Sequence, residues 1–278
     1  MSNRKYIASI LLIAATLMWG LSYSIQSISA SSLGTFTIVF FKGVGGLFVF
    51  PYLIIKKIKI DKQTIIGGFL IGIVAFLGLV FQQMGIELST VSKASFITSL
   101  YIIIVPILEI FNGKKPAKKL FLAILIALIG LYLLCFSGNY SFNVGDILLL
   151  LCSLFFAFQI MFIDKYSRIK DSLALTFVSQ GTISILAFIV MLIKESPNFE
   201  VLATQILPIL YMVFIAGMIA TTIQIVFQKD CGPTLASLLM SFESVFGAIG
   251  GWLILNQVLS IKEIVGCILV FIAILIAE

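Results

Sequence analysis

The stretch ASLLMSFESVFGAIGGWLIL, Ala236 to Leu255, carries one charge, Glu243, in twenty residues. A helix rises 1.5 Å per residue, so this length crosses the ~30 Å hydrocarbon core of a bilayer. A charge at the centre of such a helix costs about 2.5–3.5 kcal/mol on insertion scales, and each surrounding Leu, Ile or Phe returns about 0.3–0.6 kcal/mol. The segment still inserts, but Glu243 must face protein or water. It is either a functional carboxyl in a cavity or a hydrogen-bonded structural partner of another helix. Ser237, Ser241, Ser244, Ala248 and Gly251 recur at spacings of four and three beside it, and Gly247 and Gly251 form a GxxxG. Stripes of small residues let membrane helices approach closely.

The rest of the chain agrees with this reading. Of 278 residues, 61% are hydrophobic and 11% charged, and the mean hydropathy is +1.20. Soluble domains carry about 25% charged residues, and a polar shell cannot be built from so few. The chain reads as an all-α, multi-pass membrane protein. Its polar breaks predict ten spans, at 7–26, 34–55, 65–86, 93–111, 119–136, 145–163, 172–193, 206–228, 234–255 and 260–277. The first of these has a basic start but too long an apolar run for a signal peptide, so it is read as a span. The connections are short, and no soluble domain or long tail is expected.

With the N-terminus in the cytoplasm, fourteen of the 18 basic residues fall on the inner side, among them Lys56, Lys57, Lys59, Lys62, Lys118, Lys119 and Arg168. Lys93, Lys194 and Lys262 fall outside, and Lys42 lies within a span. This asymmetry is the positive-inside pattern and predicts that both termini are cytoplasmic. The net charge of +6 is thus a topology signal, matched to an anionic lipid leaflet and needing no nucleic acid.

The chain also repeats itself. ASFITSLY, Ala94 to Tyr101, aligns with ASLLMSFE, Ala236 to Glu243. Phe81-Gln82 aligns with Phe227-Gln228, and Lys42-Gly43 with Gln180-Gly181, in the same order in both halves. Five spans per half is odd, so the second half enters the membrane from the opposite side. The expected organisation is two inverted five-helix repeats, residues 1–138 and 139–278. Inverted repeats are a transporter architecture, with the site at the repeat interface near mid-depth.

No histidine is present, which removes HExxH zinc sites and His-based nucleophilic triads. Gly20-Leu21-Ser22 therefore lacks a base, and the Gly113-Lys114-Lys115 stretch does not complete a Walker A motif. An enzyme is not expected, nor a cofactor, nor a metal. Cys135, Cys152, Cys231 and Cys267 form no CxxC pair and read as reduced packing residues.

The stretches LMWGLSYSI in span one, TVSKASFITSLYIIIVPIL through span four and FESVFGAIGGWLIL in span nine resemble the drug/metabolite transporter superfamily, in particular its ten-helix EamA-type transporters. The resemblance covers both halves. It departs at Lys42, where arginine is usual, at Ser244, where proline usually follows the glutamate, and at Asn256-Gln257, which replaces a Gly-Glu pair. It implies a carrier of small metabolites in the bacterial plasma (inner) membrane, often an exporter, with spans one to four and six to nine around the cavity.

The expected substrate-binding residues are Glu243, Lys42, Trp19, Tyr23, Gln82, Tyr101, Gln159 and Ser241, with Glu243 also the proton-coupling group. Glu243 and Lys42 both fall near mid-depth by residue count, so they can pair or meet the two ends of a zwitterion. Lys42 either reads a solute anion or snorkels outward on its long stem. The amides of Gln82, Gln83, Gln159, Gln180, Gln224 and Gln228 either bond to adjacent helices or line a polar cavity. Pro51 and Pro106 leave the carbonyls of Leu47 and Ile102 without a donor, so kinks are expected there. Glu87, Glu109, Asp146 and Asp164 read as interfacial, Glu109 being neutralised by the basic loop after it.

The reading is a secondary active transporter of a small polar metabolite, an amino acid or related amine, working by alternating access with proton-coupled export. It would act as a monomer or homodimer with the lipid bilayer around it. A facilitator without proton coupling, and a non-transporting scaffold or sensor, are the alternatives.

Overall fold

The computed structural model describes residues 3–114, 116–135, 142–256 and 258–277. The expected repeat boundary at 138/139, Asn139, Gln257 and the side chain of Cys135 lie outside the described residues. The described residues form helices joined by short turns, without strands. The long helices are α1 (Asn3–Ser29), α2 (Thr35–Ile55), α3 (Lys62–Glu87), α4 (Val91–Phe111), α5 (Lys118–Cys135), α6 (Val144–Ser167), α7 (Ser172–Lys194), α8 (Ile206–Cys231), α9 (Pro233–Leu255) and α10 (Ile261–Ala277), and a short helix, Phe199–Thr204, precedes α8. Eight of the long helices, all but α5 and α10, are long and apolar enough to cross a membrane.

Polarity is arranged inside out. Ile55, Phe111, Ile193 and Leu207 are more than 70% exposed, whereas Gln82, Gln83, Gln228 and Glu243 are at most 5% exposed. Water would not tolerate so much apolar surface on a monomer. Hydrocarbon does, and it drives polar side chains inward, where they find partners.

The halves of the chain interleave. α1 packs on α9, α2 on α7 and α8, α3 on α6 and α7, and α5 on α10. Glycines set the closest approaches: a Cβ on Gly130 would lie 2.7 Å from the Gly266 carbonyl oxygen, and one on Gly266 would meet the Gly130 carbonyl in turn. This pair joins α5 to α10 backbone to backbone.

Four spans are irregular. α2 tightens into a 3₁₀ turn over Gly46–Val49, where the Phe50 amide reaches back to the Leu47 carbonyl. That turn precedes Pro51, as its missing N–H leads one to expect. In α4 the irregularity lies elsewhere: Pro106 sits inside a continuous helix, Tyr101–Phe111, and the break falls earlier, at Ser99-Leu100. The third, α9, breaks at Ser241-Phe242 with no proline near. The two breaks occupy aligned positions of ASFITSLY and ASLLMSFE. In both, tight i→i−3 bonds replace the helical ladder, Leu100 to Ile97 and Phe242 to Leu239, each 3.2 Å. α8 does the opposite and widens into a π-helix over Tyr211–Ala220.

The acidic residues near span ends have specific partners. Asp146 pairs with Lys93 at 2.8 Å and Asp164 with Arg168 at 2.7 Å and Lys114 at 3.4 Å. Glu87 accepts from Thr35 at 2.8 Å. For Glu109 the expectation is corrected: its carboxylate accepts from the amide and hydroxyl of Thr234, capping α9 rather than answering the loop lysines. The first amides of a helix lack intrahelical acceptors, and a carboxylate there also meets the positive end of the helix dipole. Glu195 does the same for α2, accepting from the Phe36 and Thr37 amides at 2.7 and 2.8 Å. At the start of α3, Lys170 lies 2.5 Å from Asp61. That ammonium, with Thr64 assisting, holds the Asp61 carboxyl well below the usual carboxylate range.

Candidate solute site

A cavity of about 70 Å³, the volume open to the centre of a water-sized sphere, lies at the heart of the bundle. One water needs roughly 10–15 Å³ on this measure, so the space suits a small metabolite or about five waters. Its lining comes from α1–α4 and α6–α9, and none from α5 or α10. Trp19, Tyr23, Lys42, Gln82, Tyr101, Gln159 and Glu243 all line it. Ser241 does not: it is fully buried and its hydroxyl donates to the Leu238 carbonyl at 2.7 Å, inside α9.

Glu243 opens the second half of α9, immediately after the break. Its aligned residue, Tyr101, opens the second half of α4. The two meet, with Tyr101 Oη donating to Glu243 Oε1 at 3.1 Å. Ser99 Oγ lies 3.5 Å from the same oxygen and 2.8 Å from Ser244 Oγ, and Ser244 donates to the Ser95 carbonyl at 2.9 Å. The two breaks therefore touch, and the polar side chains flanking one bond to those flanking the other.

Lys42 is 6% exposed. Its ammonium lines the cavity side of α2 and donates to Gln26 Oε1 at 3.1 Å, so it does not snorkel outward. Among the described residues no ion pair within 4 Å joins it to Glu243. The cavity thus holds a cation and a carboxyl that are not spent on each other. Trp19 Nε1 donates to the Ala216 carbonyl at 3.1 Å, and Tyr211 donates to the Met18 carbonyl at 2.8 Å, clamping α1 to the π-helical part of α8. Gln82 donates to Tyr23 Oη at 2.8 Å. Gln180, the residue aligned with Lys42, also lines the cavity and donates to the Gly217 carbonyl at 3.4 Å. The π turn places Ala216 and Gly217 at the wall. π-Bulges recur at functional sites because they re-aim backbone groups.

Sequence reasoning missed Gln26 and Ser99, which contact Lys42 and Glu243, and Ser244, which bonds to Ser99. Gln26 was within reach: Trp19, Ser22, Tyr23 and Gln26 share one face of α1 at spacings of three and four. The π segment left no comparable trace.

Gly20 is the backstop of the site. A Cβ there would lie 2.7 Å from the Glu243 carbonyl oxygen and 2.9 Å from the Gly247 amide. Both are backbone atoms and cannot rotate away. Gly20→Ala should cost about 1–3 kcal/mol, read as a lowered Tm of the detergent-solubilised protein. Gly181→Ala is the control, because its Cβ would meet only Leu47 Cδ2 at 3.6 Å. It should leave Tm unchanged or slightly raised. Equal losses in both variants would contradict this packing.

A multi-pass helical bundle enclosing a buried polar cavity, with its charges turned inward, is the architecture of a membrane transporter. The chain belongs to the EamA-like transporter family, whose sequence model matches residues 6–136 and again 143–277. An uncharacterized transporter of Archaeoglobus fulgidus is 32% identical over 279 aligned positions, covering 99% of this chain and 87% of that one. A solved crystal structure with 14% sequence identity superposes at a TM-score of 0.75 over 97% of both chains, a likeness of fold.

Proposed function

We propose that this transporter is a proton-coupled exporter of a small polar metabolite, an amino acid or related amine, in a bacterial plasma membrane. Ten helices span the bilayer, α5 and α10 included, as two inverted five-helix repeats with both termini cytoplasmic. The repeats rock about the cavity to open it to each side in turn. Lys42 receives the anionic end of the solute. Glu243 carries the proton and exchanges it for solute, with Trp19, Tyr23, Gln82, Tyr101 and Gln159 shaping the site and Ser241 supporting α9. The carrying observation is that one cavity, lined from both halves, contains both buried charges without an ion pair between them.

The test is reconstitution into proteoliposomes and a screen of labelled amino acids and amines with and without an imposed pH gradient. Accumulation that appears only with the gradient supports the proposal. Flux that equilibrates a solute regardless of the gradient leaves a facilitator instead. Orientation is tested separately by single cysteines in a cysteine-free background. Asn198 should label from outside intact cells, and Lys59 and Lys118 only after the inner face is opened. Labelling at Lys118 in intact cells would refute cytoplasmic termini.

A further inference from the structure

Glu243 carries a proton in the reading above, and the present inference rests on that. Around it stand two buried serines with one hydroxyl hydrogen each. Ser244 spends its hydrogen on the Ser95 carbonyl at 2.9 Å. Besides its interaction with Tyr101, Ser99 then has two acceptors across the breaks for its own, Ser244 Oγ at 2.8 Å and Glu243 Oε1 at 3.5 Å. One hydrogen cannot serve both. We propose that Ser99 and Ser244 are the positioning pair of the Glu243 carboxyl, with the Ser99 hydrogen turning to Glu243 when it is anionic and to Ser244 when it is neutral.

The physical reason is charge. A hydrogen bond to a carboxylate is roughly twice as strong as one between neutral groups, so an anionic Glu243 draws Ser99 across the longer gap. Protonation removes that advantage, and the shorter bond to Ser244 prevails. The consequence is mechanical as well as local. Ser99 caps the first half of α4 and Ser244 lies in the first turn of the second half of α9. The bond between them crosses from one break to the other, so loading Glu243 tightens or loosens the contact between the two halves of the chain. Other groups act on Glu243 too: Tyr101 from α4 by direct bond, and Tyr23 from α1, Lys42 from α2 and Cys152 from α6 through their electrostatic interaction with it. Of these only Tyr101 also joins one break to the other, and its hydrogen goes to Glu243 itself, whereas that of Ser99 has Ser244 as a competing acceptor.

The test needs no knowledge of the solute. The probe is the infrared carboxylic-acid C=O band of the protein in liposomes, recorded across pH and assigned to Glu243 by its loss in Glu243→Gln. Ser99→Ala takes a donor from the carboxylate, whereas Ser244→Ala leaves Ser99 with no competing acceptor. The band midpoint should therefore move in opposite senses in the two variants, by about half a pH unit or more. If either alanine variant fails to insert, the near-isosteric Ser→Cys variant, a weak donor, should show the same sense with smaller size. Midpoints that stay at the wild-type value, or move in the same sense, overturn the pairing and leave the serines as packing groups. A wild-type protein with no titrating Glu243 band sinks the proton reading, and this inference with it.

Discussion

Glu243→Gln, reconstituted with an imposed pH gradient, exchanges labelled solute across the membrane but does not concentrate it. In one-for-one exchange a gradient of one pH unit sustains roughly a tenfold solute gradient, because each unit is 1.36 kcal/mol per proton. Wild-type protein should approach that ratio. The Gln variant should fall to a ratio near one, since the amide keeps the size of the carboxyl and can still accept from Tyr101 but cannot release a proton. Glu243→Ala should do worse, because it also leaves the buried Tyr101 hydroxyl without its acceptor. Accumulation by the Gln variant equal to wild type would make Glu243 a structural group and move the coupling elsewhere.

Lys42→Met gives the second large effect. If its ammonium receives the anionic end of the solute, its removal should weaken solute binding by roughly ten- to a hundredfold, the worth of a hydrogen bond to a charged group. Expression should persist, because methionine replaces a similar stem in an apolar bundle. Lys42→Arg should recover part of the affinity: the charge returns, but the planar fork does not reproduce the ammonium's geometry toward Gln26. Unchanged solute affinity in Lys42→Met, measured by tryptophan quenching from Trp19 at the cavity wall, would exclude Lys42 from recognition.

Much of the cavity lining could be read in advance because an apolar span makes each polar residue conspicuous. Lys42, Glu243, Gln82 and Tyr101 each carry a desolvation cost that only an interior position relieves, so naming them required no geometry. The same logic failed for Ser241, which satisfies its hydroxyl on its own helix, as serine often does. It failed in the other direction for Ser99 and Ser244. They look like small packing residues, and their service to Glu243 depends on two helices crossing at their breaks.

The breaks themselves show the boundary between the two kinds of information. Proline chemistry pointed to Pro106, yet α4 breaks at Ser99-Leu100 and runs straight through Pro106. The aligned octets ASFITSLY and ASLLMSFE were visible as a repeat. Nothing in either says that the helix stops there, because no residue in them forbids helix. At that point the backbone falls back on i→i−3 bonds, and the side chains flanking the breaks meet, Ser244 with Ser99 and Tyr101 with Glu243.

By itself the sequence determined that this chain is a helical membrane protein, where its long helices lie to within a few residues, and which polar groups must turn inward. Those properties follow from transfer free energies, which belong to single residues and sum along a segment. Only the tertiary structure decided that Lys42 stays beside Gln26 rather than reaching outward, that α8 opens into a π-helix at the cavity wall, and that Tyr101 meets Glu243. These depend on distances between helices far apart in the chain, where hydrocarbon offers no water as an alternative partner and each polar group must take the one that packing brings to it.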